Sequence, residues 1–362
     1  MKKVFITMLG IMLSAVGYCQ SDFEIAQEFM SWKGVKLSEK AGTRVCEDYT
    51  IFTGVDGKGF AIVSDGVVIA YDTENVATTC ILRATTRTER TTTPIKYMVK
   101  TKWGQRKPFC LECPFVDGQQ AYAGCGPVAL GQIMYYYKNP KCVALPDYYV
   151  PEGYVGLGPL PETTFDWDLI LADYNNLYTK EQGDEVAKLM EYIGCATQTW
   201  YKETGGSYLR VEYLPRLGFS ALSYEVRGSM TDEQLYDALD KELEQGRPIL
   251  LAGYNESVTS GHWYVIDGRD DTGRYHINPG FDGEGNGYYM LSPETWCDGV
   301  TGPLLCSMWL NIPIMPEWWI IDDITHVKQD VTDYRTYNLQ GQVIKKPSKG
   351  IYIKNKKKYI VK

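Results

Sequence analysis

Residues 119–140 read QQAYAGCGPVALGQIMYYYKNP, and the fold of the whole chain is decided by what this stretch becomes. It sets one cysteine, Cys125, at the mouth of an amphipathic helix. Gly124 and Gly126 keep the backbone around the thiol open, Pro127 suits the first helical position, and Leu130, Ile133, Met134 and Tyr137 recur at helical spacing as a buried stripe. Asn139-Pro140 then stops the helix. A thiol at a helix N-terminus meets unpaired backbone N–H groups and the positive end of the dipole, which favour the thiolate, the form that attacks carbonyls. Cys125 is therefore a nucleophile candidate, set against the plainer reading of a buried cysteine that starts a core helix.

A nucleophilic thiol needs a base, and the chain offers only three histidines, His262, His276 and His326. His262 follows Gly261 at the start of an apolar strand, so its ring can sit at a sheet end facing a cleft, and imidazole titrates where a thiol needs a proton acceptor. His276 lies on the next strand and is second choice; His326 lies in the tail. Asn278, on the strand after His262, could accept a hydrogen bond from the imidazole and fix its orientation, the third-group role of a triad, although asparagine beside proline is also common in turns.

Around this pair the periodicity changes from helical to alternating. One helix is expected over about 184–193, stopped by Gly194, and another from Thr231, with Gln234 as its capping-box partner and Leu235, Ala238, Leu239 and Leu243 on one face, ending at Gly246. RPILLAGY, HWYVIDGR, RYHINPG and GYYMLS then read as successive strands separated by Gly- and Asp-rich turns. Helices first and strands later imply an α+β domain with a helical half, a twisted antiparallel sheet half and a cleft between them.

Upstream, Lys2 and Lys3 precede an apolar run over 4–16, with Ala15 and Gly17 before Cys19-Gln20, so residues 1–19 read as a secretory signal peptide. Acylation of Cys19 is the weaker reading because the bulky Tyr18 sits directly before it. Residues 20–82 form a small unit, with helical periodicity over 23–32 and two short strands, 60–63 and 67–71, joined by Ser64-Asp65-Gly66. RATTRTERTTT (83–93) is polar, Thr-rich and basic with no apolar stripe, so 83–100 reads as an exposed interdomain linker open to nicking. The catalytic unit is expected over 101–315. Residues 316–362 form a β tail, with strands 351–353 and 359–361 around a lysine-rich turn.

Composition suits an exported globular protein: 44% hydrophobic residues and a net charge of −8 over 362 residues, a balance that argues against nucleic acid as a partner. Ten cysteines in such a chain invite disulfides. With Cys19 and Cys125 set aside, eight remain that could pair (Cys46, Cys80, Cys110, Cys113, Cys142, Cys195, Cys297, Cys306), in a connectivity that sequence does not give. Cys110-Leu-Glu-Cys113 also suits half of a zinc site, but a second close Cys/His pair is missing.

WGQRKPF, AYAGCGPVALGQIMYYYKNP, DEQLYDALDKELEQGRPILLAGY and GHWYVIDGRDDTGRYHINPGFDGEGNGYYML together resemble the streptopain family of bacterial papain-like cysteine peptidases, and GFAIVSDGVVIAYDTE resembles that family's inhibitory propeptide. The resemblance implies a two-lobed papain-like catalytic domain preceded by a small α+β propeptide. It also implies a secreted or surface-bound zymogen cut near the Thr/Arg linker, acting on protein or peptide substrates without metal or organic cofactor. Cys125 would be the nucleophile, His262 the base, and Gln105 a donor to the oxyanion hole beside the Cys125 backbone N–H. Where the family usually has Asn-Trp-Gly-Trp this chain has Asn278-Pro279-Gly280-Phe281, so the aromatic cover of the histidine is lost or passes to Phe281. Trp263 replaces a small residue, and Gly126-Pro127 replaces small apolar ones. The run from Gln119 through Cys125-Gly126-Pro127 to His262-Trp263 is also similar to bacteriocin-processing cysteine peptidases, in which Gln119 would be the oxyanion donor. A secreted binding protein on the same fold without activity is the non-enzyme alternative. The tail resembles the C-terminal sorting domains of exported Bacteroidetes proteins, which would make the outer-membrane secretion machinery a partner; a basic hairpin packed on the catalytic domain is the simpler reading.

Overall fold

A computed structural model describes residues 21–39, 43–46, 49–77, 82–83, 90–149, 155–201, 209–220, 223–226, 231–254, 261–291, 296–297, 308–311, 315–316, 336–337, 350–354 and 357–361. The signal segment 1–19 lies outside them. Four α-helices organise the described chain: α1 (Asp22–Ser31), α2 (Cys125–Tyr137), α3 (Lys180–Ala196) and α4 (Asp232–Glu244). The principal sheet has ten strands: β1 (Thr43–Cys46), β2 (Tyr49–Thr53), β3 (Phe60–Ser64), β4 (Val67–Asp72), β5 (Ser223–Val226), β6 (Ile249–Tyr254), β7 (Gly261–Arg269), β8 (Tyr275–Asn278), β9 (Gly287–Tyr289) and β10 (Met308–Asn311). Their spatial order is β1-β2-β3-β4-β9-β8-β7-β6-β10-β5, and every pairing is antiparallel.

Alternation along β6 and β7 divides the core. Leu250, Ala252, Trp263 and Val265 face the helical side and join the cluster built on α2 and α3, whereas Ile249, Leu251, Tyr264 and Ile266 face α4. On α4, Thr231 and Gln234 form the capping box and Leu235, Leu239 and Leu243 are buried, each contributing about 1.5–3 kcal/mol on leaving water. Gly246, at φ +71°, follows the helix end, as the sequence predicts.

Differences from the sequence expectations have local causes. α3 starts a turn earlier than expected, at the Thr179/Gln182 capping box, and runs through Gly194, whose bare Cα lies against the Tyr201 hydroxyl where a side chain would collide. α2 starts at Cys125 itself, so Pro127 is its third residue; all three lack an intrahelical N–H partner in any case. Its burial is also wider than a stripe: 125–134 and Tyr137 are all buried.

The small N-terminal unit packs α1 on β2–β4 through Ala26, Met30, Phe52, Ala61 and Val63. Its sheet is not separate from the catalytic one. Tyr71 pairs with Tyr288 and Ala70 with Tyr289, so β4 continues the sheet at β9. The seam is closed by the Tyr71–Tyr288 ring stack (5.4 Å), a Tyr71 hydroxyl donating to Asp270 at 3.0 Å, and Arg274 donating to the Val68 carbonyl at 2.6 Å while lying over the Phe29 ring.

The linker expectation also needs correction. Residues 90–100 are not a free tether but a strap along the catalytic sheet. Ile95 and Arg269 exchange backbone bonds at 2.7 and 2.9 Å, Met98 N–H donates to Asp267 O at 3.0 Å, and Val99 N–H to the Asp267 carboxylate at 2.6 Å. Arg90 lies over the Tyr236 ring and donates to Asp240 and Tyr275. Composition missed this because backbone bonds to β7 hold the strap more than an apolar stripe does. Residues 84–89 lie outside the described ones.

Cys110, Cys113, Cys125, Cys142 and Cys195 are free thiols, which overturns the expected pairing for four of the eight; the side chains of Cys46, Cys80, Cys297 and Cys306 lie outside the description. Among the described residues no group of three or more His, Cys, Asp or Glu is arranged to hold a metal ion. In the tail, Gly350–Lys354 and Lys357–Val361 form an antiparallel hairpin joined by Thr336–Tyr337. No helix among the described residues is long and apolar enough to cross a membrane.

Candidate active site

Gly124 opens the site. At φ +87° and ψ 151° it holds a conformation closed to L side chains and turns the chain into α2, leaving Cys125 as the first helical residue. The thiol is 6% exposed. Burial works against its ionisation, but the adjacent His262 imidazole, the hydrogen bond between them and the backbone N–H groups of Trp263 and Gly126 outweigh burial and hold Cys125 below the ordinary thiol range. Gly126 is required for the approach: a Cβ there would lie 2.7 Å from Leu209 Cβ.

His262 is the second residue of β7, in register with Gly253 of β6. Its Nε2 lies 2.8 Å from the Pro279 carbonyl oxygen. A carbonyl only accepts, so Nε2 carries its hydrogen, and Nδ1 is left as the nitrogen available for the hydrogen bond with the Cys125 thiol. Phe281 stacks on the imidazole at 4.7 Å between centroids, tilted by 27°. The aromatic cover is thus retained in the form of phenylalanine.

The third-group role assigned to Asn278 moves one residue along. Asn278 is fully buried; its Nδ2 donates to Thr101 O at 2.7 Å and its Oδ1 accepts from Gly280 N–H at 3.1 Å. The group that meets the imidazole is the Pro279 carbonyl, in the turn that Asn278 closes. Gly280 at φ +75° lets the turn press on α2, where a Cβ would lie 2.9 Å from Val128 Cγ1. Sequence reasoning missed this because it weighs side chains; the Asn-x-Gly spacing, which signals an Asx turn, was the available clue.

Gln105 and Gln119 are separated by the structure. The Gln105 carbonyl accepts from Ala123 N–H at 3.0 Å, two residues before the nucleophile, and its side-chain Oε1 is buried without a partner. The preceding Gly104 lies under the Asp282 carboxylate, and Asp282 N–H donates to Trp103 O at 3.0 Å, so WGQ is tied to the loop that carries Phe281. Gln119 is exposed on a hairpin, paired with Val116. His276 belongs elsewhere: its Nδ1 meets Asp267 at 2.6 Å and its ring stacks on Tyr97, in the floor beneath the N-terminal unit. His326 lies outside the described residues.

A thiol with a depressed pKa, an imidazole held in one tautomer and an amide carried on a segment tied to the helix mouth form the geometry of acyl transfer.

Comparison with known proteins places the chain in a family. Residues 103–289 match the Peptidase C10 family. Over 202 residues the chain is 31% identical to the thiol protease/hemagglutinin PrtT of Porphyromonas gingivalis, covering 52% of this chain and 23% of that protein. Over 213 residues it is 27% identical to streptopain of Streptococcus pyogenes, covering 52% and 53%. The chain thus spans about half or less of the length of these curated relatives. Among solved structures, prointerpain A of Prevotella intermedia superposes with a TM-score of 0.58 at 23% identity over 76% of this chain and 97% of that one. Active interpain A, a cysteine protease of the same organism, gives 0.51 at 26% identity over 60% and 93%. The fold is papain-like α+β with an N-terminal unit, and the chain belongs to the Peptidase C10 family.

Proposed function

We propose that this chain is an exported cysteine endopeptidase made as a zymogen, which hydrolyses peptide bonds through Cys125 and His262. The observation that carries the reading is the His262 Nε2–Pro279 carbonyl contact at 2.8 Å: it fixes the imidazole tautomer that leaves Nδ1 to the thiol. The Cys125 thiolate attacks the substrate carbonyl and forms the C–S bond. The Gln105 amide and a backbone N–H at the head of α2 stabilise the oxyanion; the imidazolium then gives its proton to the leaving amine as the C–N bond breaks. Water, deprotonated by His262, releases the acyl group and restores the thiol.

The proposed units are a signal at 1–19, an inhibitory propeptide at 20–82, a processing region, a catalytic body and the C-terminal β tail, read as an address for outer-membrane export. The strap moves the start of the catalytic body to Arg90, so maturation has to cut upstream of it. Latency is supported by the β4–β9 seam, which joins the propeptide to the sheet that carries His262. The test is casein hydrolysis by residues 21–362 under mild reductant, beside Cys125→Ala, with cleavage followed by mass spectrometry. Activity that appears with the cut and is absent from the variant is expected. A correctly cut chain that stays inactive would instead favour a binding protein on the same fold.

A further inference from the structure

Thr101 has no place in the dyad, the oxyanion hole or the aromatic cover, yet it is fully buried between α2 and the turn that follows β8. Its hydroxyl lies 2.6 Å from Oε1 of Gln132, which is also fully buried and sits two helical turns after Cys125 on α2. An amide oxygen only accepts, so the hydroxyl donates. Its carbonyl accepts from Asn278 Nδ2 at 2.7 Å, and Asn278 in turn holds the Gly280 N–H of the turn whose Pro279 carbonyl meets His262. One residue therefore bonds both to the helix that carries the nucleophile and to the turn that orients the base. The same segment continues to Trp103, whose carbonyl takes Asp282 N–H, and to Gln105, whose carbonyl takes Ala123 N–H.

We propose that Thr101 and Gln132 are positioning residues that set α2, and with it Cys125, in register with the imidazole. This rests on the peptidase reading of the site. Gln132 supports the assignment: its Nε2 is buried with no partner, so the hydroxyl of Thr101 is the contact that anchors this side chain. A glutamine kept only for packing would gain from replacement by an apolar residue of similar shape.

The test uses the matured enzyme with Thr101→Val, Thr101→Ser, Gln132→Met and the double variant Thr101→Val/Gln132→Met. Active sites are counted by thiol titration, so that misfolded material does not enter kcat. Thr101→Val and Gln132→Met are expected to lower kcat per active site about tenfold with KM within twofold, and to move the acid limb of the kcat/KM profile upward because the thiolate–imidazolium pair is less well aligned. Thr101→Ser keeps the hydroxyl and is expected to retain wild-type kcat. The double variant should be no worse than the poorer single one, since both break one link. Unchanged kcat and an unchanged pH profile in folded Gln132→Met would overturn the proposal, as would a loss confined to the number of active sites. If the wild-type chain cleaves no peptide, the peptidase reading fails, but the pH dependence of Cys125 alkylation in the same variants still decides whether Thr101 aligns the pair.

Discussion

Replacing Gly280 by alanine addresses the turn that orients the base. At φ +75° an L residue costs about 1–2 kcal/mol, and the new methyl would stand 2.9 Å from Val128 Cγ1 on α2. The turn can relieve that overlap only by moving off the helix, which draws the Pro279 carbonyl away from His262 Nε2. A hydrogen bond to a charged group contributes about 1.5–3 kcal/mol, and 1.36 kcal/mol is tenfold in rate, so kcat/KM is expected to fall roughly ten- to a hundred-and-fiftyfold. Adding Val128→Ala removes the overlap but not the backbone cost, so the double variant should recover most activity while remaining less stable than wild type. The assay is hydrolysis of a fluorogenic peptide by matured enzyme, normalised to titrated thiol, with thermal unfolding alongside. A Gly280→Ala enzyme within twofold of wild type would refute the argument, as would a folded double variant no more active than the single one.

Three further outcomes follow from the geometry. Gln105→Ala should lower kcat by about a hundredfold or more, the usual loss for an oxyanion donor, whereas Gln119→Ala should stay within twofold; the reverse ranking would move the oxyanion hole to the hairpin. Tyr71→Phe removes the hydroxyl that donates to Asp270 at 3.0 Å across the propeptide seam, so conversion of the zymogen, followed on gels, should be several-fold faster; unchanged conversion would mean that the seam does not limit it. The N-terminus of the matured enzyme, read by mass spectrometry, should fall at or before Arg90, because Arg90 is held by Asp240, Tyr275 and the Tyr236 ring. A terminus within 91–99 would contradict the role given to the strap.

Much of this protein is legible in its sequence, and what is not has a common cause. Period and punctuation located α4, β6–β9 and the nucleophile helix, because Thr231, Gly246 and Gly124 act through local backbone physics. Cys125 was readable as a thiol at a helix mouth and His262 as a histidine at a strand start. The continuous sheet through β4 and β9, the strap on β7, the free thiols and the Pro279 carbonyl were not. Each depends on backbone groups or on neighbours distant in sequence: Tyr71 meets Asp270, Val99 meets Asp267, and Thr101 meets both Gln132 and Asn278. Side-chain chemistry read along one chain does not point to the Pro279 carbonyl; the Asn278-x-Gly280 spacing signals the turn but not which of its groups meets the imidazole.

The most direct measurement is the pH dependence of covalent labelling at Cys125. The matured enzyme is treated with a peptidyl chloromethyl ketone from pH 5 to 9, with sites mapped by mass spectrometry and an unstructured cysteine-containing model peptide as comparator. Because the Cys125 pKa is depressed, its thiolate persists as pH falls from the ordinary thiol range to the lowered value, and is lost only below that value. Labelling of Cys125 is expected to stay fast at mildly acidic pH, where the model-peptide thiol is slow, and a His262→Ala enzyme, which keeps only the backbone N–H groups of Trp263 and Gly126 to oppose burial, is expected to need a higher pH for the same rate. Parallel pH profiles for Cys125 and the model peptide, or a His262→Ala profile identical to wild type, would contradict the claim that Cys125 and His262 form the reactive pair.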